Sequence, residues 1–271
     1  MWREGSLRRK KKPMIGSAVR LIKHKNQHID IAPEGFDTLR PLHYACEWGS
    51  IFGVQWLVRH GAKVNLRVSR NGRTPYSFAC ANSVHTMEKM LYLEELGYNL
   101  SSHDIVWAAS NEFLSSEKAH KIFHYLVNEK GLSVNSINNY KNTPLHLGSV
   151  FGVEWLVKHN AAINSVNKFG ITPFMYACSS TVDRSKKVRY LDQKGADQGA
   201  DCQANDHEGK TALFYAITND FMCEDDKMKD VLEYLVITKG IDINSVDKGG
   251  RTPFLYEFEL RFSFFVIHQL I

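Results

Sequence analysis

The chain lacks the short patterns that usually announce chemistry. Its 271 residues contain no Cys-x-x-Cys pair, no His-Glu-x-x-His sequence and no phosphate-cradling glycine loop, so common zinc sites and nucleotide folds find no foothold. No charge-free apolar run is long enough to span a bilayer, and no apolar h-region stands near the start. Residues 260–271 are greasy but far too short. Cysteine is sparse and odd in number, five residues in all. Cys46, Cys80 and Cys178 fall at one repeated small-residue position, about 10 Å apart when neighbouring helices pack, so disulfides between them are excluded by reach. They read as buried reduced thiols. Cys202 and Cys223 fall in loop-like segments and read as free surface thiols. This usage favours a reducing, intracellular compartment, cytoplasmic in preference to nuclear.

A strong charge of one sign is lacking too. The formal net charge is +5, but Arg3, Arg8, Arg9, Lys10, Lys11 and Lys12 against Glu4 account for all of it, and the remaining body is neutral. Residues 1–14 are expected to be a disordered basic leader. The run Arg8, Arg9, Lys10, Lys11 and Lys12 is the one place where RNA or anionic lipid could be attracted, and stable membrane anchoring is not expected from it.

What the chain has in plenty is repetition. Pro41-Leu42-His43-Tyr44-Ala45, Pro144-Leu145-His146 and Pro173-Phe174-Met175-Tyr176-Ala177 are copies of one phrase. Its first position is filled by Arg40, Thr74, His103, Thr143, Thr172, Thr211 and Thr252. A second anchor, a long or aromatic residue followed by Leu, recurs at Trp56-Leu57, Tyr92-Leu93, Tyr125-Leu126, Trp155-Leu156, Tyr190-Leu191 and Tyr234-Leu235, with further copies at Arg20-Leu21 and Gln269-Leu270. The Thr hydroxyl can accept from an otherwise orphaned amide while Pro enters the first helical turn, so the phrase starts a helix. The second anchor lies on a second helix with apolar residues at helical spacing, ending near a glycine such as Gly61 or Gly97. Helices of about ten residues are too short to persist alone. Stacked pairs must share a continuous core, and that is a solenoid.

These anchors resemble the ankyrin repeat. Asn164-Ser165-Val166-Asn167-Lys168-Phe169-Gly170-Ile171-Thr172-Pro173 and Asn244-Ser245-Val246-Asp247-Lys248-Gly249-Gly250-Arg251-Thr252-Pro253 keep its full spacing. The resemblance implies an all-α solenoid of paired antiparallel helices joined by hairpin-like turns. It covers residues 15–271 as one elongated domain, with a leading half repeat and seven repeats starting near 40, 74, 103, 143, 172, 211 and 252.

Departures from the repeat carry their own expectations. In the third repeat, His103 takes the Thr position and Asp104 the Pro position. The fourth repeat is several residues shorter between its helices, so its first helix is expected to be clipped and the stack near Gly148 weaker. Lys141 replaces a turn glycine, which strains a left-handed backbone. Extra polar stretches, Glu112 to Lys118, Ser179 to Lys187 and Cys223 to Lys229, read as loops.

The histidines and acids support structure better than catalysis. His43 and His146 sit in the phrase and are expected to tie turns; His60 and His159 close second helices, where a polar ring suits the dipole. Asp37, Asp206 and Asp247 fall in inter-repeat turns and tie the local backbone. No enzyme activity, cofactor or metal is expected. The resemblance implies a non-catalytic module or scaffold that grips a protein partner on a concave face of turn tips and first helices. The tips are Arg70 and Asn71, Asn139 and Tyr140, Lys168 and Phe169, His207 and Glu208, and Lys248, with Trp48 on the same candidate surface. Tyr140 and Phe169 form the expected centre and Arg70 extends it, because buried aromatics and Arg dominate interface energy. The recurrent second-helix aromatics are assigned to the core. Two other readings stand beside this one, a substrate-recruiting segment of a larger regulatory protein or enzyme, and a nucleic-acid or lipid binder steered by the basic leader. The apolar C-terminal helix suggests self-association or a covering partner.

Overall fold

A computed structural model describes residues 29–30, 39–68, 72–81, 85–112, 115–194, 200–217, 226–256 and 258. The chain divides into two compact units, residues 1–139 and 140–271, and among the described residues there is no strand. The N-terminal unit holds α1 (Pro41–Trp48), α2 (Ile51–Arg59), α3 (Pro75–Cys80), α4 (Thr86–Glu95), α5 (Ser102–Ala109) and α6 (Ser116–His124). The C-terminal unit holds α7 (Pro144–Leu147), α8 (Val150–Lys158), α9 (Pro173–Cys178), α10 (Arg184–Lys194), α11 (Ala212–Ile217) and α12 (Asp226–Glu233). In each unit, every first helix packs on its own second helix and on the first helix of the next repeat, while second helices pack on second helices. That is a repeat stack, each unit an all-α solenoid segment.

Helix starts follow the phrase. Thr74 Oγ1 accepts from the Ser77 amide at 3.2 Å and Thr172 Oγ1 from Met175 at 3.3 Å. In the first and fourth repeats histidine does more. His43 Nδ1 accepts the Arg40 amide proton at 3.0 Å, so its proton must sit on Nε2, which donates to the Leu66 carbonyl at 3.1 Å. His146 repeats this between the Thr143 amide and the Ile171 carbonyl, at 3.1 and 3.0 Å. Each imidazole thereby ties a helix start to the turn that follows its helix pair.

The third repeat corrects the sequence assignment. Its helix is capped by Ser101, not His103, and Asp104 occupies the third helical position where His43 and His146 stand. Asp104 accepts from the Ser101 amide at 2.8 Å and from the Tyr98 hydroxyl at 3.0 Å. A short acid reaching back to the cap amide does the imidazole's local task. Burial pushes its pKa up to about 6, against the hydrogen bonds that favour its ionised form.

Two further readings change. The stretch Ser179 to Lys187 is a loop only to Asp183; Arg184 and Lys187 open α10 and are buried. Arg184 donates to the carbonyls of Ser180 and Ala216 at 2.7 and 3.2 Å. Lys89, at the corresponding place in α4, is fully buried with Nζ 3.0 Å from the Cys46 carbonyl, and Asn111 Nδ2 lies 2.9 Å from the Cys80 carbonyl. These groups satisfy carbonyls at the ends of first helices, which have no intrahelical donor. Cys202 is buried, not a surface thiol: its Sγ lies 3.3 Å from the Ala200 carbonyl, and burial pushes its pKa up to about 12. Cys46, Cys80 and Cys178 are buried and free as expected, whereas Cys223 lies outside the described residues.

The second-helix register is also finer than the sequence suggested. Leu57, Leu93, Leu126, Leu156, Leu191 and Leu235 are all at most 2% exposed, whereas Trp56, Tyr92, Tyr190 and Tyr234 are half-buried and only Tyr125 and Trp155 join the core. The leucine is the core residue and the aromatic guards its rim. Trp56 stacks on His60 and Trp155 on His159, with ring centroids 4.0 and 3.6 Å apart.

The ends of these helices fall into a longer period. The first and fourth repeats read Trp-Leu-Val-basic-His, the second and fifth Tyr-Leu-acid (Glu94, Asp192), and the third and sixth Tyr-Leu-Val-x-x-Lys-Gly (Tyr125–Gly131, Tyr234–Gly240). The last pair carries one extra residue before its glycine. Both absorb it as π-helical turns, Tyr125–Glu129 and Tyr234–Thr238, in which the Lys130 and Lys239 amides donate to the Tyr125 and Tyr234 carbonyls five residues back. The widened turn sets lysine beside tyrosine, and together they clasp the acid of the preceding repeat. Tyr125 and Lys130 reach Glu94 Oε2 at 2.7 and 2.6 Å, and Tyr234 and Lys239 grip Asp192 in the same way.

The clipped helix of the fourth repeat is observed: α7 has four residues where α1 has eight. Lys141 adopts φ +57° at the turn position that Gly170 fills at +77° one repeat later. At Gly170 a side chain has no room, since a Cβ would stand 2.7 Å from the His207 amide nitrogen. Gly170→Ala is therefore expected to lower stability by about 1–2 kcal/mol, from left-handed strain and the displaced turn. A denaturation midpoint unchanged from the parent would contradict that close approach.

Candidate partner-binding surface

The turn tips of the C-terminal unit are built by one repeated device. Asn167 Oδ1 accepts from the amides of Phe169 and Ile171 at 2.8 and 3.1 Å, Asp206 Oδ1 from those of Glu208 and Lys210 at 2.8 Å each, and Asp247 Oδ1 from those of Gly249 and Arg251 at 2.8 and 3.0 Å. The short acceptor replaces a backbone partner and holds the hairpin closed. Burial pushes Asp247 upward, but Arg251 and the turn amides prevail and hold it below the usual carboxylate range.

Backbone hydrogen bonds join each tip to the next. The Lys168 amide donates to the Tyr140 carbonyl at 2.9 Å, His207 to Phe169 at 2.9 Å, and Lys248 to Glu208 at 2.7 Å. Five of the residues read from sequence as partner-binding, Tyr140, Phe169, His207, Glu208 and Lys248, thus stand on one continuous ladder, with Lys168 between the first two. The rings of Tyr140 and Phe169 face each other at 6.5 Å and 27°. Phe169 remains 39% exposed, and Lys168, His207, Glu208 and Lys248 are exposed. An aromatic pair held at a tip offers a rigid apolar anchor whose ordering is already complete before a partner arrives.

Trp48 is 39% exposed at the end of α1, in the N-terminal unit. Arg70, Asn71, Asp37, the basic residues Arg8 to Lys12, and the apolar stretch 260–271 lie outside the described residues. Among the described residues no helix is long and apolar enough to cross a membrane, and no group of three or more metal-ligating side chains comes together. His120 and His124, one turn apart on α6 with rings 6.2 Å apart, are a pair the sequence reading passed over. Two ligands without a third make no metal site.

The comparisons with known proteins now decide the family. A family model described as ankyrin repeats (3 copies) matches residues 14–104 and 148–247. The chain belongs to the ankyrin-repeat family. Among curated proteins, this ankyrin-repeat chain is similar to a putative ankyrin repeat protein of Fowlpox virus (strain NVSL), with 29% identity over 118 residues. That alignment covers 44% of this chain and 16% of the viral protein, so the chain spans a small part of its relative's length. The matched residues include the tip residues Lys168, Phe169, His207 and Glu208 and leave out Tyr140 and Lys248. Ankyrin repeats generally serve as protein-interaction modules and are generally non-catalytic.

Inner-face residues were missed in the sequence. Four positions after Thr172, Thr211 and Thr252 the chain places Tyr176, Tyr215 and Tyr256. The Tyr215 hydroxyl donates to Asp206 Oδ2 at 2.5 Å, and the Tyr256 hydroxyl accepts from Lys210 Nζ at 3.2 Å. Reading that single position along all repeats would have found them.

Proposed function

We propose that this protein is a non-catalytic interaction module or scaffold that holds a protein partner by its turn tips and the first-helix side chains behind them. The observation that carries this reading is the tip ladder, with the facing Tyr140 and Phe169 rings at one end and exposed Lys168, His207, Glu208 and Lys248 along it. Interfaces are centred on such aromatic anchors ringed by polar groups. In the N-terminal unit, taken by itself, Trp48 is a separate candidate contact, as Arg70 and Asn71 are from the sequence.

The double variant Tyr140→Ala/Phe169→Ala tests it. Partner capture is expected to weaken by about 2 kcal/mol or more, roughly 30-fold, as for truncated anchors elsewhere. Helix content by circular dichroism should stay unchanged, because neither ring supports a helix interior. Undiminished capture by the folded variant would sink this choice of anchors. A second reading, that these repeats recruit substrate within a longer regulatory protein, is favoured by the length of the viral relative, of which the alignment covers 16%.

A further inference from the structure

The two units repeat the same second-helix endings, and one position of their first helices varies along the chain. Four residues after the cap, the first repeat carries a half-buried Tyr44, the second and third carry Phe78 and Ile105, which are 4% and 0% exposed, and the fourth carries Leu147. The fifth, sixth and seventh repeats carry Tyr176, Tyr215 and Tyr256 in succession, all half-buried; the Tyr176 hydroxyl itself is buried and that of Tyr215 is held by Asp206. Three consecutive repeats of the C-terminal unit thus place a half-buried aromatic ring at one position. Tyrosine supplies broad contact area and a hydrogen bond at low conformational cost.

The charges beside that row are one-sided. Lys141, Lys168 and Lys248 are exposed at the tips, and Lys210 and Arg251 lie just behind them. Against these five cations stand three carboxylates, and two are already engaged: Asp206 by the Tyr215 hydroxyl and two amides, Asp247 by Arg251 at 2.7 Å and two amides. Glu208 is the exposed acid among the described tips of this unit. Lys168 and Lys248 have no ion-pair partner among the described residues. Tyr256 receives its hydrogen bond from Lys210, which leaves the phenolic proton to donate outward.

We propose that the C-terminal unit binds an extended acidic segment of its protein partner, laid along Tyr176, Tyr215 and Tyr256 with its carboxylates against Lys168, Lys210 and Lys248. The inference rests on the interaction-module reading and adds the partner's chemistry. Spaced cations alternating with tyrosine suit a peptide whose acids alternate with apolar residues. The excess of positive charge is small for a nucleic-acid groove, where several phosphates must be neutralised at once.

A random dodecapeptide library displayed on phage, selected against the immobilised full chain, is the test. Enriched sequences should hold more Asp and Glu than Lys and Arg, and a synthetic copy of the commonest one should bind about tenfold more weakly to Lys168→Glu/Lys248→Glu. Tyr256→Phe keeps the ring and should weaken the same peptide several-fold. Thermal melts of both variants, altered only in surface groups, confirm folding. Neutral or basic winners overturn the acidic assignment while keeping the module, and so does equal binding to the charge-reversed variant. Displacement of the peptide by a fifteen-residue deoxythymidine oligonucleotide at similar concentration replaces it with a general polyanion site. No enrichment of any sequence removes both the inference and the module reading on which it rests.

Discussion

Taking the solution from pH 7 to pH 4.5 is expected to weaken the C-terminal unit by about 2–3 kcal/mol and leave the N-terminal unit nearly unchanged. His146 is buried neutral, and burial lowers its pKa to about 4 although its bond to the Ile171 carbonyl works the other way. A base whose folded pKa is depressed contributes stability above its unfolded value of 6.5 and loses it as pH falls toward 4. The geometry agrees: a second proton on Nδ1 would point at the Thr143 amide, itself a donor. His43 is lowered to about 4 in the same way. In its unit, however, Asp104 is raised to about 6 by burial, and an acid with a raised pKa regains stability as it protonates, about 2 kcal/mol over this range. The two slopes oppose each other in the N-terminal unit. The C-terminal unit has instead Asp192 and Asp247, both held below the usual carboxylate range, which add further losses at still lower pH. Hydrogen exchange at the two pH values, corrected for intrinsic rates, should show protection lost first around α7 to α11. His146→Gln should start less stable at pH 7 and show a flatter pH profile. Equal acid lability of both units, or an unchanged slope in that variant, would show that the imidazole does not govern the effect.

The repeat was legible because its anchors solve local problems that have few solutions. A Thr before Pro starts a helix with its hydroxyl and the φ of the ring; a Leu on the second helix must find the core, and all six are there. The turn acids Asp206 and Asp247 were legible for the same reason, as short acceptors two residues ahead of an orphaned amide. His103 was misplaced because Ser101 and Asp104 make the same reciprocal cap from other residue types, so the phrase had no Thr or Pro to mark it. Arg184, Lys187 and Lys89 were hidden by a different effect. A charged side chain reads as surface unless its buried acceptor is known: for Lys89 and Arg184 these are helix-end carbonyls 43 and 32 positions away, and for Lys187 the Ser180 hydroxyl. The tip aromatics were legible as positions and illegible as a pair, since facing rings depend on how adjacent hairpins are spaced. The inner tyrosine row needed only comparison of one position across repeats, but its neutral chemistry carried no signal until the adjoining lysines had places.

Removing the Glu94 carboxylate is expected to lower the stability of the N-terminal unit by about 3 kcal/mol, far beyond a surface ion pair worth at most about 1 kcal/mol. Glu94 is where three side chains from two repeats meet in hydrogen bonds. Its own repeat supplies the Tyr76 hydroxyl at 2.5 Å, and the next supplies Tyr125 at 2.7 Å and Lys130 at 2.6 Å. The neighbouring repeat can reach it only because the π turn after Tyr125 advances Lys130 to the tyrosine's side. Glu94→Ala leaves the hydroxyl of Tyr76, a fully buried residue, without its acceptor and leaves Lys130 without its counterion. Glu94→Gln keeps one acceptor oxygen and should lose about half as much. Lys130→Met tests the direction of coupling: if the clasp acts as a unit, the loss in Glu94→Ala/Lys130→Met falls short of the sum of the single losses by at least about 0.5 kcal/mol. Deleting Val127 or Asn128 would convert the π turn to an ordinary helical end of the Trp56–Gly61 length, carrying Lys130 away from Tyr125. That shortened chain should match Glu94→Ala in stability while gaining little further loss from Glu94→Ala itself. Full additivity of the pair, with the deletion harmless, would mean that the extra residue is tolerated there and does not fasten one repeat to the next.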